Sequence, residues 1–147
     1  MKLFICIILL VFIISCGSEP DSPDVLMRTD SAFSQMAKDS GMHKAFSYYA
    51  AHEILRFSFE KLIENDSVKI DSARLSSSLL QWQPLKANVS KTGDLGWTSG
   101  NWFYLIKTVK GYDTVKTGTY VTFWEKQEDG SWKYIIDNGN LSPDDFK

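Results

Sequence analysis

The sequence predicts an α+β domain in which two helices lead into a strongly curved antiparallel sheet. Apolar residues recur at helical spacing from Ala32 to Ala50, and four β-rich stretches separated by turn chemistry follow Pro84. The cysteines are Cys6 and Cys16 alone, so nothing downstream can form a disulfide, a thiolate nucleophile or a cysteine metal site. The ~130 residues beyond the leader suit one domain held by its own core.

The chain opens with Lys2, an apolar run from Leu3 to Ile14, and Ile13-Ile14-Ser15-Cys16. Twelve residues at about 1.5 Å each cannot cross the ~30 Å of a bilayer, but they match a secretory apolar segment. The four residues ending at Cys16 resemble a bacterial lipoprotein signal. The resemblance implies that residues 1–15 are removed and that Cys16 carries acyl chains such as palmitate. The protein would then be tethered in the cell envelope. Gly17 after the cysteine implies outer-membrane delivery, by resemblance to known sorting signals. Residues 16–28, beginning C-G-S-E-P-D-S-P-D, offer no apolar face and read as a flexible tether, with the domain spanning 29–147.

Asp30 or Ser31 is placed to cap a first helix carrying Ala32, Phe33, Met36 and Ala37, which Gly41 ends. Met42, Ala45, Phe46, Tyr49 and Ala50 stripe a second helix that runs to His52. Alternation from Ile54 to Phe59 predicts a half-buried strand, with Lys61 to Ile63 beginning its hairpin partner and Asn65-Asp66-Ser67 breaking the chain. Ser72 to Leu80 reads as a short helix. Strands are expected over Leu85 to Ser90, Leu95 to Val109, Thr117 to Lys126 and Trp132 to Asn138. The turns fall at Lys91-Thr92-Gly93, Lys110-Gly111-Tyr112-Asp113 and Asp129-Gly130.

Three segments, Asp94 to Gly100, Gly118 to Lys126 and Asp129 to Asn140, resemble the nuclear-transport-factor-two-like superfamily, and within it SnoaL-like domains. The likeness reaches upstream through Gly41-Met42-His43-Lys44-Ala45-Phe46 to Phe33. The resemblance implies a cone of helices on a bent, cystatin-like sheet. It also implies an apolar cavity and a homodimer formed through the sheet.

Several chemistries are excluded or weakened by the residues themselves. The formal net charge is −2 and no basic run occurs, which argues against nucleic acid. His52-Glu53-Ile54-Leu55-Arg56 lacks the second histidine of a zinc-protease helix, and His43 is the one other histidine, so no metal site is expected. Gly96-Trp97-Thr98-Ser99-Gly100 has threonine where a nucleophile elbow needs serine; its glycines suit sheet bending instead. No motif requires a cofactor.

Two functional readings remain. The first is a membrane-tethered, non-enzymatic module that binds a small apolar or amphipathic ligand, lined by Tyr49, Trp97, Trp102, Tyr120 and Trp124. The second is an enzyme resembling ketosteroid isomerase and polyketide cyclase relatives. It would use Asp94 or Asp137 as base and one of Tyr48, Tyr49, Tyr104 and Tyr120 as donor. Both aspartates adjoin glycine or asparagine at strand ends, which favours turn-fixing roles for them.

Overall fold

The computed structural model describes residues 21–55, 62–64 and 78–142. The leader, residues 16–20 of the expected tether with Cys16, and residues 72–77 of the expected Ser72 to Leu80 helix lie outside the described residues; Ser78 to Leu80, expected to end that helix, instead begin a strand paired with the next one. Two helices, α1 (Pro23–Ser40) and α2 (Met42–Tyr49), precede six strands: β1 (Ala50–Leu55), β2 (Leu62–Glu64), β3 (Ser78–Val89), β4 (Leu95–Thr108), β5 (Gly111–Lys126) and β6 (Trp132–Leu141). These strands form one sheet in the order β2-β1-β6-β5-β4-β3. The expected sheet was antiparallel throughout; the observed one is mixed, because β1 runs parallel to β6. Hairpins join β3 to β6 in sequence, and that leaves the first strand to dock beside the last.

Helix α1 begins seven positions before the anticipated cap, inside the stretch read as tether. Pro23 occupies its first turn, where a missing N–H costs nothing and a fixed φ is already helical. Asp21, just outside, pairs with Lys126 at 2.9 Å and accepts the Trp132 indole N–H at 2.9 Å; these partners hold its carboxyl below the usual range. Leu26, Asp30, Phe33, Ser34 and Ala37 form the buried stripe, so Asp30 lies in mid-helix and faces the core instead of capping an end. Gly41 terminates α1 with φ of 89°. Helix α2 stops at Tyr49 rather than His52, and the chain passes directly into β1.

Phe33 is the hub of the core. Its ring meets Trp82 at 4.6 Å, Phe46 at 4.8 Å, Tyr49 at 4.8 Å and Tyr134 at 5.7 Å between centroids. Among the described residues, the aromatic side chains of the core cluster fill the space between α1, α2 and the sheet.

Among the described residues, three irregularities in the antiparallel ladders bend the sheet. Leu85 is an extra residue between Pro84↔Gly100 and Lys86↔Ser99, which lets β3 run through a proline on the sheet edge, although the strand was expected to begin only at Leu85. The second is at Val115, between Lys116↔Tyr104 and Thr114↔Leu105. The third is at Ile135, between Trp124↔Tyr134 and Phe123↔Ile136. This last bulge shifts the alternation of β6 by one, so that Trp132 and Tyr134 face inward before it and Asp137 and Gly139 after it.

At the first bulge the strands approach closely. A Cβ at Gly100 would lie 2.0 Å from the Gln83 carbonyl oxygen, a backbone atom with no freedom to withdraw. Gly100→Ala should destabilise the domain by about 1–3 kcal/mol, read as a fall of several degrees in melting temperature; an unchanged melt would contradict this packing.

Candidate functional site

A cavity of about 500 Å³ opens between the inner face of the sheet and the helices, lined by Phe46, Leu80, Trp82, Trp102, Tyr104, Lys116, Tyr120, Asp137 and Gly139. Its walls are mostly apolar, and its polar groups are placed by three separate devices.

The first device is the buried carboxylate of Asp30, fully removed from solvent on α1. It accepts the Trp82 indole N–H at 2.7 Å from β3 and the Tyr120 hydroxyl at 2.7 Å from β5. One helical turn on, Ser34 donates to the Trp82 carbonyl at 2.8 Å and accepts from the Trp82 amide at 3.1 Å. Burial pushes the Asp30 carboxyl up from its ordinary value, opposed by hydrogen bonds from Tyr120, Thr98 and Trp82. Thr98 in turn takes the Trp124 indole N–H at 2.9 Å. Burial and the neighbouring Asp30 push the Tyr120 phenol well above its ordinary value, so it stays protonated. Its proton points at Asp30, and the lone pairs of its oxygen are what remain for a ligand.

The second device is the Ile135 bulge. By bringing Asp137 opposite Thr122, it places this carboxyl diagonally next to Tyr120 on the same face. Thr122 donates to Asp137 Oδ1 at 2.6 Å. Asp137 is solvent-exposed on its cavity side, while densely packed protein lies around the rest of it. That burial pushes its carboxyl to about 6, with Thr122 opposing the shift and the charge of Asp30 adding to it. A carboxyl so placed can exchange a proton with a bound molecule near neutral pH.

The third device is a cradle for Trp102. Its indole lies against Gly118 and Gly139, where a Cβ would come within 2.5 Å and 3.1 Å of the ring. The indole nitrogen donates to the carbonyls of Thr119 and Asn140, each at 3.1 Å. The ring is thereby fixed against the strands and forms part of the cavity wall.

The residues proposed from sequence divide accordingly. Trp102, Tyr120 and Asp137 come together in the cavity, with Tyr104 among the candidate phenols. Trp97 pairs with Phe123 on the opposite face, outside the lining, because the register that buries Thr98 turns its neighbour outward. Trp124 is fully buried core bonded to Thr98, and Tyr49 packs on Phe33 outside the lining. Asp94 fixes the 90–95 turn: it accepts from Ser90 at 2.8 Å and from Thr92, and these bonds hold its carboxyl below the usual range. Asp137 is not a turn residue. Asp30, Trp82, Leu80, Phe46 and Lys116 were missed as lining or supporting residues. The one sequence signal for Asp30 was its place on the apolar stripe four residues before Ser34, where a solvated acid does not belong. Among the described residues, no group of three His, Cys, Asp or Glu side chains stands together as a metal site.

No protein-family model matches the sequence, and no curated protein matches it either. Solved structures do. An NTF2-like protein with a cystatin-like fold from Novosphingobium aromaticivorans superposes with TM-score 0.63 at 12% identity, over 82% of this chain and 81% of that one. Aln2 from Streptomyces gives TM-score 0.60 at 12% identity, over 87% and 96%. A protein from Catenulispora acidiphila, in complex with S-DNPA, gives 0.56 at 8% identity, over 78% and 89%. The chain therefore has the NTF2-like, cystatin-like α+β fold that its motifs suggested.

The displaced Asp137 makes a pH prediction. An aspartate titrates near 3.9 when unfolded and near 6 here, so the folded form retains a proton that the unfolded chain has lost. Its contribution is favourable below about pH 4 and fades as pH rises through about 6. Asp137→Asn should therefore gain stability relative to the parent between pH 4 and 7, measured by urea midpoints at each pH. Parallel pH profiles for the two proteins would contradict the assignment.

Proposed function

We propose that this chain is a small-molecule binding module whose cavity accepts an apolar or amphipathic ligand, held to a bacterial envelope membrane through lipid on Cys16. The observation that carries the ligand reading is the cavity itself, about 500 Å³ with a fixed indole wall and two polar acceptors, Tyr120 and Asp137, at one end. That volume falls within the range that encloses a small molecule. The S-DNPA complex of the Catenulispora acidiphila protein supports it by showing that a structure of this fold holds a small ligand. Identification of small molecules that co-purify with the protein, by mass spectrometry, addresses the ligand directly.

Trp102→Ala should raise the Kd of an apolar fluorescent probe such as 1-aminoanthracene about tenfold, because an aromatic contact and its buried area are lost together. Trp97→Ala, on the other face, should leave it within about twofold; equal effects from the two variants would place binding elsewhere.

A second reading, an acid–base enzyme, rests on one observation: Asp137, with its carboxyl near 6, faces the cavity beside the Tyr120 phenol. Asp137 would be the base. Tyr120 would serve as donor only when Asp30 holds a proton, since the phenol's own hydrogen is otherwise committed to Asp30. Asp94 has no part in it, being far out in a turn.

The anchoring proposal rests on the Ile13 to Cys16 motif, with outer-membrane delivery following from Gly17. Stable attachment needs more than one acyl chain, each contributing about 0.8 kcal/mol per buried CH₂. Cys16→Ser should move the protein from the membrane fraction to the soluble envelope fraction; a variant still sedimenting with membranes would refute the lipid anchor. The outer face of the sheet, where Leu95 and Phe123 stand exposed, is the surface through which a second copy would pair.

A further inference from the structure

The polar groups of the cavity are segregated along one strand. Tyr120 and Lys116 are four positions apart on β5 and face the same side, a Cα separation of about 13 Å at 3.3 Å per residue. Asp137 stands opposite Thr122, two positions beyond Tyr120 and away from Lys116. Trp102, opposite Gly118, lies midway. The cavity thus has an acidic, acceptor-rich end, an apolar middle and a cationic end.

Lys116 is exposed, and among the described residues no ion pair engages it. Its cross-strand neighbour is Tyr104, whose phenol also belongs to the lining. An ammonium beside a phenol offers two donor groups to an oxyanion. An anion at the opposite end would instead meet Asp137 with Asp30 behind it, so charge fixes the direction in which a ligand can lie.

We infer that the cavity takes an amphipathic monoanion, with a carboxylate or comparable anionic group at Lys116, an apolar body against Trp102, and a hydroxyl or other hydrogen-bond donor at Tyr120 and Asp137. This rests on the ligand-binding reading above and adds the ligand's class and polarity. The Cα atoms carrying the two ends are about 13 Å apart, so an extended ligand on the scale of a ten-carbon chain is suited to probe both.

Three probes that share one hydroxyl end and differ at the other test it: ω-hydroxydecanoate, decane-α,ω-diol and ω-aminodecanol, titrated calorimetrically into the full-length chain. The carboxylate should bind about tenfold tighter than the diol, the gain of one partly screened ion pair, and the amine should bind weakest. In Lys116→Met the carboxylate and diol should bind within about twofold of each other, and in Lys116→Glu the amine should lead. Circular dichroism of both variants should match the parent, as expected for an exposed strand position. Equal binding of all three probes by the parent, or a carboxylate preference that survives Lys116→Met, overturns the inference while leaving the binding module intact. Binding of none of the three overturns both.

Discussion

The buried carboxylate of Asp30 is where the helical and sheet layers are joined. It sits on the innermost line of α1 and takes hydrogen bonds from Trp82 on β3 and Tyr120 on β5, two strands that flank β4 in the sheet. A charge so placed is costly unless each lone pair is used, and the indole, phenol and threonine donors around it meet that demand. Those bonds fix two cavity side chains at once. Trp82 is held by its ring to Asp30 and by its backbone to Ser34, while Tyr120 is oriented with its proton directed away from the cavity. The polarity at this end of the cavity is therefore set from behind its wall, by a residue outside the lining.

The sheet supplies the remaining constraints through its departures from regularity. A strict alternation in β6 would carry Trp132, Tyr134 and Ile136 inward and leave Asp137 outside; one extra residue reverses the second half of the strand. Two glycines remove the side chains that would otherwise occupy the place of the Trp102 ring. Curvature and the carboxylate thus come from bulges and the aromatic wall from absent side chains, and all three converge on the same volume. The charge of Asp30 then adds to the upward shift of the Asp137 carboxyl.

Much of the architecture was readable residue by residue. Gly41, Asp129-Gly130 and the alternation through Tyr120, Thr122 and Trp124 encode local geometry, and the helix break, the last hairpin and the inward face of β5 follow them. The start of α1 was misread because Pro23 and Asp24 have two meanings: in isolation they mark an extended linker, yet both suit the first turn of a helix. The strand through Pro84 was hidden in the same way. Proline stops an interior strand, and nothing local reveals that β3 is an edge with a bulge.

The cavity was legible only in part. Trp102 and Tyr120 could be named from the residues, but Trp97 and Trp124 have the same composition and local pattern and went to the outer face and the sealed core. Which aromatic side chains meet empty space depends on register and on where α1 crosses the sheet, and these are non-local quantities. The sequence by itself determined the α+β class, the two leading helices, the run of hairpin strands after Pro84 and their turns, because spacing and backbone preference act within a few residues. Tertiary structure alone decided that Asp30 would be a buried tie, that Asp137 would face a ligand-sized cavity, and that Lys116 would stand at its other end, because each of those outcomes depends on a partner strand's register and bulges.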